Sequence, residues 1–377
     1  MRKLTYLANA RIPTEKAHGI QIIKMSESFA EAGLEVELIL PWRFNKMKED
    51  VFGYYNVKRN FKIKKLFSLD LISLNIPKVC FWIQSLTFAL SVFFCFLFKK
   101  TDLIYSRDSF SLYLLSFFKK NLVYEAHTFP KNFFLHKRVF KKAKSIIVIT
   151  QKLKDFFVQR GITADKILVA PDGVDLEKFN IKETQEQCRQ KLNLPLDKKI
   201  VLYTGHLYQW KGAQSLAKSV KFLEESILIV FVGGTEEDVS KFKTTNSELK
   251  NILIVGHRPH LEIPHWLKAA DVLVLPNSAK EKISQYWTSP MKMFEYMASQ
   301  KPIVASNLPS LREILNENRA ILVQADNPKA LAKGIERASK NPHFSAEIAT
   351  EAFKEVKKHT WLKRTGKILE FIYSYDR

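Results

Sequence analysis

The sequence predicts an α/β protein of two domains, each a parallel sheet with helices wound over both faces. Three observations predict it. Residues 2–41 read as strand, helix, strand, the βαβ unit from which such sheets are built. From residue 200 onward, short apolar runs recur between helical stretches, as buried parallel strands require. A length of 377 residues exceeds what one core organises, and a hydrophobic content of 46% supports folded cores.

The first strand is read at Arg2–Ala10, then a helix at Gln21–Ala32 that Gly33 stops, then a strand at Glu35–Pro41. The loop before that helix belongs to the carboxyl edge of the sheet, where such folds bind ligands. Gly19 in it either admits a phosphate or sugar to the backbone or is a plain turn glycine. Val79–Phe98 is a run of twenty residues without a charge, flanked by Lys78 and by Lys99 and Lys100. Its length suits a bilayer span. The other readings are a helix packed on the sheet and a helix partly inserted at a membrane surface. A span conflicts with the strand read at Asp102–Arg107, because one sheet would then lie on both sides of a membrane. Ser109–Lys120 reads as a hydrophobic helix with a basic end, and Leu122–Glu125 as a strand. Lys131–Lys144 mixes phenylalanines with cations, which fits either a lipid-facing helix or core phenylalanines under a solvated basic face. Ser145–Thr150 reads as a buried strand before a helix that ends at Gly161.

The polar stretch Phe179–Leu196 marks the domain boundary, giving domains at 1–180 and 181–355. Strands follow at Ile200–Tyr203, Leu228–Val232, Ile252–Val255, Val272–Leu275 and Ile303–Ala305. Glu351–Tyr373 reads as a helical tail, with 356–377 as a closing segment. Ser289 and Pro290 read as a helix start, an N-cap acceptor followed by a residue with no N–H to satisfy. Met291, Phe294, Met297 and Ala298 give that helix an apolar face. Its N-terminus offers N–H groups to a phosphate, and Glu295 offers a carboxylate to sugar hydroxyls, a pairing that suits a nucleotide sugar. The plainer reading is an amphipathic helix with Glu295 paired to Lys292.

The net charge of +22 is uneven. Residues 51–154 hold 19 Lys or Arg against 4 acids, a balance of +15. A basic block of this size needs an anionic partner or tolerates its own repulsion. Phospholipid and nucleic acid are the common partners, and a lysine-rich composition is the plain explanation. Cys80, Cys95 and Cys188 lack paired spacing, which argues against a disulfide framework or a zinc site and fits a reducing compartment. The first residues carry too short an apolar run for a secretory signal, so the expected location is cytoplasmic.

The segment Ser289–Ser306 resembles the donor-binding helix of the family 4 glycosyltransferases, which have the GT-B fold. Six further stretches fall in the family's order: Arg11–Ile20, Glu125–Thr128, Val169–Asp175, Val201–Gly212, Val255–Pro259 and Ala270–Pro276. The resemblance implies two Rossmann-like domains facing a central cleft, with a C-terminal helix crossing back to the first. It implies retaining transfer of a sugar from a nucleotide diphosphate sugar, with no metal and no other cofactor. Lys211 then binds the diphosphate and acts catalytically, helped by Gly205, His206, Ser289, Pro290 and Met291. Glu295 binds ribose, Gly19 approaches the donor, and Gly256, His257 and Arg258 meet the base. His127 stands near the transferred sugar, with His18 and Arg107 on the acceptor side. Two departures stand out. Trp287 occupies the place of a glutamate eight positions before Glu295, and His206 the place of a diphosphate-binding arginine. With the basic first domain, the leading reading is a transferase peripheral on the inner face of the membrane, acting in polysaccharide biosynthesis on a lipid-linked or cell-envelope glycan. No nucleic-acid partner is expected. The alternatives are a nucleotide-sugar epimerase of the same fold and a non-catalytic binding protein.

Overall fold

The computed structural model describes residues 1–71, 77–130 and 133–374. The chain forms two compact units, Met1–Pro171 with Trp361–Arg377, and Asp172–Thr360. Lys131 and Asn132 of the basic segment, and 375–377 of the tail, lie outside the described residues.

The first unit is one parallel sheet of β1 (Lys3–Leu7), β2 (Glu35–Pro41), β3 (Lys62–Leu66), β4 (Leu103–Ser106), β5 (Leu122–Ala126), β6 (Ser145–Val148) and β7 (Ile167–Val169). Their order is β3-β2-β1-β4-β5-β6-β7. Leu4 of β1 sits between Val36 of β2 and Leu103 of β4. The strand order reverses between β1 and β4, and the loops at the carboxyl ends there form the natural ligand site of such a sheet. The interior strands β4, β5 and β6 are buried throughout, which explains their largely apolar sequence, with Glu125 of β5 as the one charged residue. Edge strand β3 is different. Its sequence, Lys-Ile-Lys-Lys-Leu, keeps three cations on an exposed edge, so it carries no buried-strand signal and was not predicted.

The helix after β1 spans Ala17–Glu31, starting four residues before the predicted one. His18 and Gly19 therefore lie on its first turn rather than in a loop. A Cβ on Gly19 would come within 2.3 Å of the Tyr55 hydroxyl and 2.6 Å of Thr14 Cγ2, so packing inside the unit accounts for the glycine. That hydroxyl accepts from the Thr14 N–H at 2.8 Å and donates to the Thr14 carbonyl at 2.9 Å, pinning the preceding loop.

The apolar run forms the helix Pro77–Phe98. Phe88, Ala89, Val92 and Phe96 are fully buried along one face, while Trp82, Leu86, Leu90 and Phe94 are exposed on the other. It connects β3 to β4, strands of the same sheet, and packs on that sheet rather than separating its strands.

The second unit repeats the plan with β8 (Lys199–Thr204), β9 (Ile227–Val232), β10 (Ile252–Gly256), β11 (Val272–Leu275), β12 (Ile303–Ser306) and β13 (Ile321–Val323), ordered β10-β9-β8-β11-β12-β13. Ile200 and Leu202 enter one core layer with Met293, Phe294 and Met297, while Val201 and Tyr203 enter the other with Leu216, Leu331 and Ile335. Both faces are apolar because both carry helices.

Two boundaries differ from expectation. The second unit begins at Asp172, not at residue 181, because Val174 and Phe179 belong to its core and Val174 bridges Thr360. The tail is two helices, Pro342–Val356 and Trp361–Ser374, because the chain changes units between them. The second of these packs on Ala17–Glu31 in the first unit, where Thr365 and Ser28 share a hydroxyl hydrogen bond of 2.9 Å.

Candidate functional site

In the second unit, chemistry gathers where the strand order reverses between β8 and β11. Gly205 follows β8 with φ of 118°, which turns the chain out of the sheet. The Tyr203 hydroxyl donates to the His206 carbonyl at 2.6 Å. The His206 ring stacks on Tyr208 at 4.9 Å, with Nδ1 3.9 Å from Asp238 Oδ2. The turn Gln209–Lys211 is tight, and Gly212 closes it. A Cβ on Gly212 would meet the Pro276 carbonyl oxygen at 1.8 Å, so only glycine lets this turn lie against the end of β11. Ser278 N donates to the Trp210 carbonyl at 2.9 Å and locks the two together. Lys211 is thereby held over the site, and burial lowers its pKa to about 8.

The helix Met291–Ala298 supplies the other wall. Its N-cap is Pro290, not Ser289. The Ser289 hydroxyl instead accepts from Asp172 N at 3.2 Å, fixing the start of the unit. Glu295 is not paired to Lys292. His260 Nε2 lies 2.8 Å from Glu295 Oε1. The Lys292 ammonium donates to the Thr204 carbonyl at 3.0 Å and lies 3.7 Å from the Tyr203 ring centre. Burial first, and then the Lys211 charge, hold its pKa well below the ordinary lysine value. Tyr296 closes the corner, its hydroxyl accepting from Thr204 N at 2.8 Å. Gly256, with φ of 85°, ends β10, and His257 and Arg258 follow it exposed. Trp287 ends the turn Ile283–Trp287 and is half-buried.

In the first unit, the residues named for the acceptor side meet around one buried carboxylate. Glu125 lies near the end of β5, with its side chain fully buried. Its Oε1 accepts from Gln21 Nε2 at 2.8 Å and Arg364 Nη2 at 2.5 Å, and lies 3.0 Å from His127 Nε2. Its Oε2 accepts from the Tyr105 hydroxyl at 2.8 Å. Burial pushes this carboxyl up, but Arg364 and His127 outweigh it and hold the group well below the usual carboxylate range. Gln21 carries the network on, its Oε1 accepting from Arg107 Nη1 at 2.8 Å. His18 stands beside it. Burial, then the charges of Arg107 and Lys16, lower its pKa to about 4, so the imidazole is neutral at neutral pH.

The sequence matches Glycosyl transferases group 1 over residues 184–355 and Glycosyltransferase Family 4 over residues 19–178, one match in each unit. The chain is a family 4 glycosyltransferase. Over 238 residues it is 25% identical to a protein named as a teichuronic acid biosynthesis glycosyltransferase, TuaC of Bacillus subtilis strain 168. That match covers 63% of this chain, and the chain spans 57% of the length of that relative. The fold is shared with Anabaena HepE in complex with UDP-glucose, at a TM-score of 0.79 and 18% identity over 99% of this chain and 100% of that one. It is shared also with WaaG, a glycosyltransferase involved in lipopolysaccharide biosynthesis, at 0.72 and 13% over 98% and 99%. The glycosyltransferase thus has the GT-B fold, and the epimerase and binding-protein readings are not favoured.

Sequence reasoning missed the partners that position the enzyme's named residues. Gln21 and Tyr105 look like ordinary core-side residues in sequence. Arg364 stands 239 positions from Glu125, and nothing local couples them. Glu125 did carry a signal, because a carboxylate inside the run Leu-Val-Tyr-Glu-Ala demands a buried partner. His260 was visible only as the residue after Val255–Pro259, and Lys292, within Ser289–Ser306, only as a helical-spacing partner for Glu295.

Proposed function

We propose that this glycosyltransferase moves a sugar from a nucleotide diphosphate sugar to a lipid-linked or cell-envelope glycan, with retention of anomeric configuration. The carrying observation is the grouping in the second unit of the Lys211 ammonium, the Gly205–His206 turn and Glu295 at one end of the sheet. Lys211 neutralises the diphosphate as its bond to the sugar breaks, which is the work a metal does elsewhere. The N–H groups at Met291 and Lys292, unpaired by helix geometry, add dipoles of the right sign. The Glu295 carboxylate, steadied by His260, accepts from ribose hydroxyls. HepE binds UDP-glucose, which makes uridine diphosphate sugars the first donors to test.

In the reaction, the acceptor oxygen bonds to the anomeric carbon on the face that the diphosphate leaves. The acceptor proton passes to the departing phosphate oxygen, so no protein base is needed. His127, held by Glu125, donates to a sugar hydroxyl, and Arg107 meets an acceptor phosphate.

An anionic membrane surface on the cytoplasmic side fits the first unit. The exposed face of Pro77–Phe98 continues into exposed Tyr113, Phe117 and Phe118. Arg138 stacks on Phe117 at 3.9 Å, and Lys119 lies 5.6 Å from the Phe118 ring. Aromatic groups rimmed by cations, within a segment of charge +15, complement anionic lipid.

A thermal-shift panel of uridine, guanosine and adenosine diphosphates and their sugars tests the donor. The true donor raises the melting point by binding linkage. A protein that responds to none of them ends the proposal.

A further inference from the structure

The second unit contains a buried ammonium, inside the Ser289–Ser306 segment, to which neither the fold nor the resemblance gives a role. Lys292 is about nine-tenths buried, on the first turn of Met291–Ala298. It forms no ion pair among the described residues, since the nearby Glu295 is bonded to His260. Its Nζ has one carbonyl, Thr204, and one aromatic face, Tyr203. A second ammonium, the half-buried Lys211, is close enough for its charge to act on it. Burying a charge without a partner is costly, and two like charges in one low-dielectric site raise that cost. A leucine or methionine would fill the same space without it. The arrangement is therefore made for an anion that arrives from outside.

The surroundings show from where. A Cβ on Gly205 would sit in ordinary contact with Lys292 Nζ, at 3.7 Å, so the ammonium lies directly against this turn. That turn stands at the carboxyl end of β8, where the strand order reverses and ligands of such sheets bind. Met291 and Lys292 also point their own N–H groups out of the helix start.

We propose that Lys292 is a donor-binding residue: its ammonium, together with that of Lys211, grips the diphosphate of the nucleotide sugar. This rests on the donor reading above and assigns it a cation to which the resemblance gave no role. The second ammonium also offsets one departure noted in the sequence, His206 in the place of a diphosphate-binding arginine.

A consequence separates this role from a structural one. The groups facing Lys292 are Lys211 from the β8 turn, Tyr203 from β8 and Glu295 from its own helix. In the free protein burial and Lys211 favour the neutral amine. A bound diphosphate favours the ammonium, so binding takes up protons. Affinity then falls as pH rises through the window between the lowered free values and the restored ones. Lys211, at about 8 when free, titrates in the same window.

The experiment is titration calorimetry of the full chain with uridine, guanosine and adenosine diphosphates at pH 8, in two buffers of different ionisation enthalpy. The wild type is expected to bind one of them with uptake of roughly one proton. Lys292→Met is expected to weaken that binding roughly 10- to 100-fold, as loss of a charge-assisted contact does, and to reduce the uptake. Its unliganded melting point is expected to hold or rise, because a costly buried amine is gone. Equal affinity and equal uptake in Lys292→Met would overturn this inference while leaving the donor reading intact. Wild type that binds none of the diphosphates overturns both. Should Lys292→Met not fold, the wild-type titration decides alone, and binding without proton uptake overturns the inference.

Discussion

Replacing Arg364 by methionine should damage the first unit more than most single substitutions can. The Arg364 side chain is 2% exposed and that of Glu125 is fully buried, and the two meet at 2.5 Å. The guanidinium also serves the carbonyls of Ala170 at 3.2 Å and Pro171 at 2.9 Å. Methionine keeps the length but leaves a buried carboxylate with only Gln21, Tyr105 and His127. Breaking one side of such a pair costs about 3–5 kcal/mol. At roughly 2–4 °C per kcal/mol for a unit of this size, the melting point should fall by about 6–20 °C. The loss should depend on pH, with a definite sign. In the wild type the Glu125 carboxyl lies below its ordinary value, so its contribution is present above about pH 4.5 and fades as pH falls through the lower folded value. In Arg364→Met, burial acts unopposed by the guanidinium, the carboxyl rises, and the variant loses stability as pH climbs from about 4.5 to 7. Calorimetric melts of the full chain at pH 5 and pH 7.5 should therefore show the larger gap at pH 7.5. Adding Glu125→Gln to the variant should recover part of the loss. A deficit below about 1 kcal/mol, or a gap indifferent to pH with no recovery in the double variant, would refute the reasoning.

Three further outcomes are expected. Lys211→Ala should lower sugar transfer by roughly 10²-fold or more while leaving the melting point nearly unchanged, and near-normal turnover removes Lys211 from the chemistry. Glu295→Gln should weaken binding of the free nucleotide diphosphate about 10-fold, read by calorimetry, with a much smaller effect on folding. A triple change of exposed Trp82, Leu86 and Phe94 to serine should reduce co-sedimentation with phosphatidylglycerol vesicles severalfold and spare the buried face at Phe88, Val92 and Phe96. Undiminished sedimentation would free that face of a lipid role.

The fold was legible where sequence and burial obey the same period. Interior strands such as Ile227–Val232 and Val272–Leu275 have no polar face, and their apolar runs announced them. Strands β3, β7 and β13 did not, because edge strands are short or charged. The helix start at Ala17 was hidden because its N-cap position, Lys16, has no side-chain cap. Of the site, the motif residues Lys211, Glu295 and His127 could be named from spacing. What holds them could not. The His260–Glu295 contact joins residues 35 apart, and the Arg364–Glu125 contact residues 239 apart, and no local rule encodes either. The plainer reading of this helix paired Lys292 with Glu295 by helical spacing, whereas the buried side chain turns inward to the Thr204 carbonyl.

The Arg364–Glu125 contact also sets a timetable for biosynthesis. A ribosome adding 5–20 residues per second needs roughly ten to fifty seconds to pass from one partner to the other. Throughout that interval the nascent first sheet holds a carboxylate whose guanidinium has not been made, while the whole second unit emerges and is free to fold. The unit translated first is thus the last to be finished, and it is the half that carries the aromatic, cationic face.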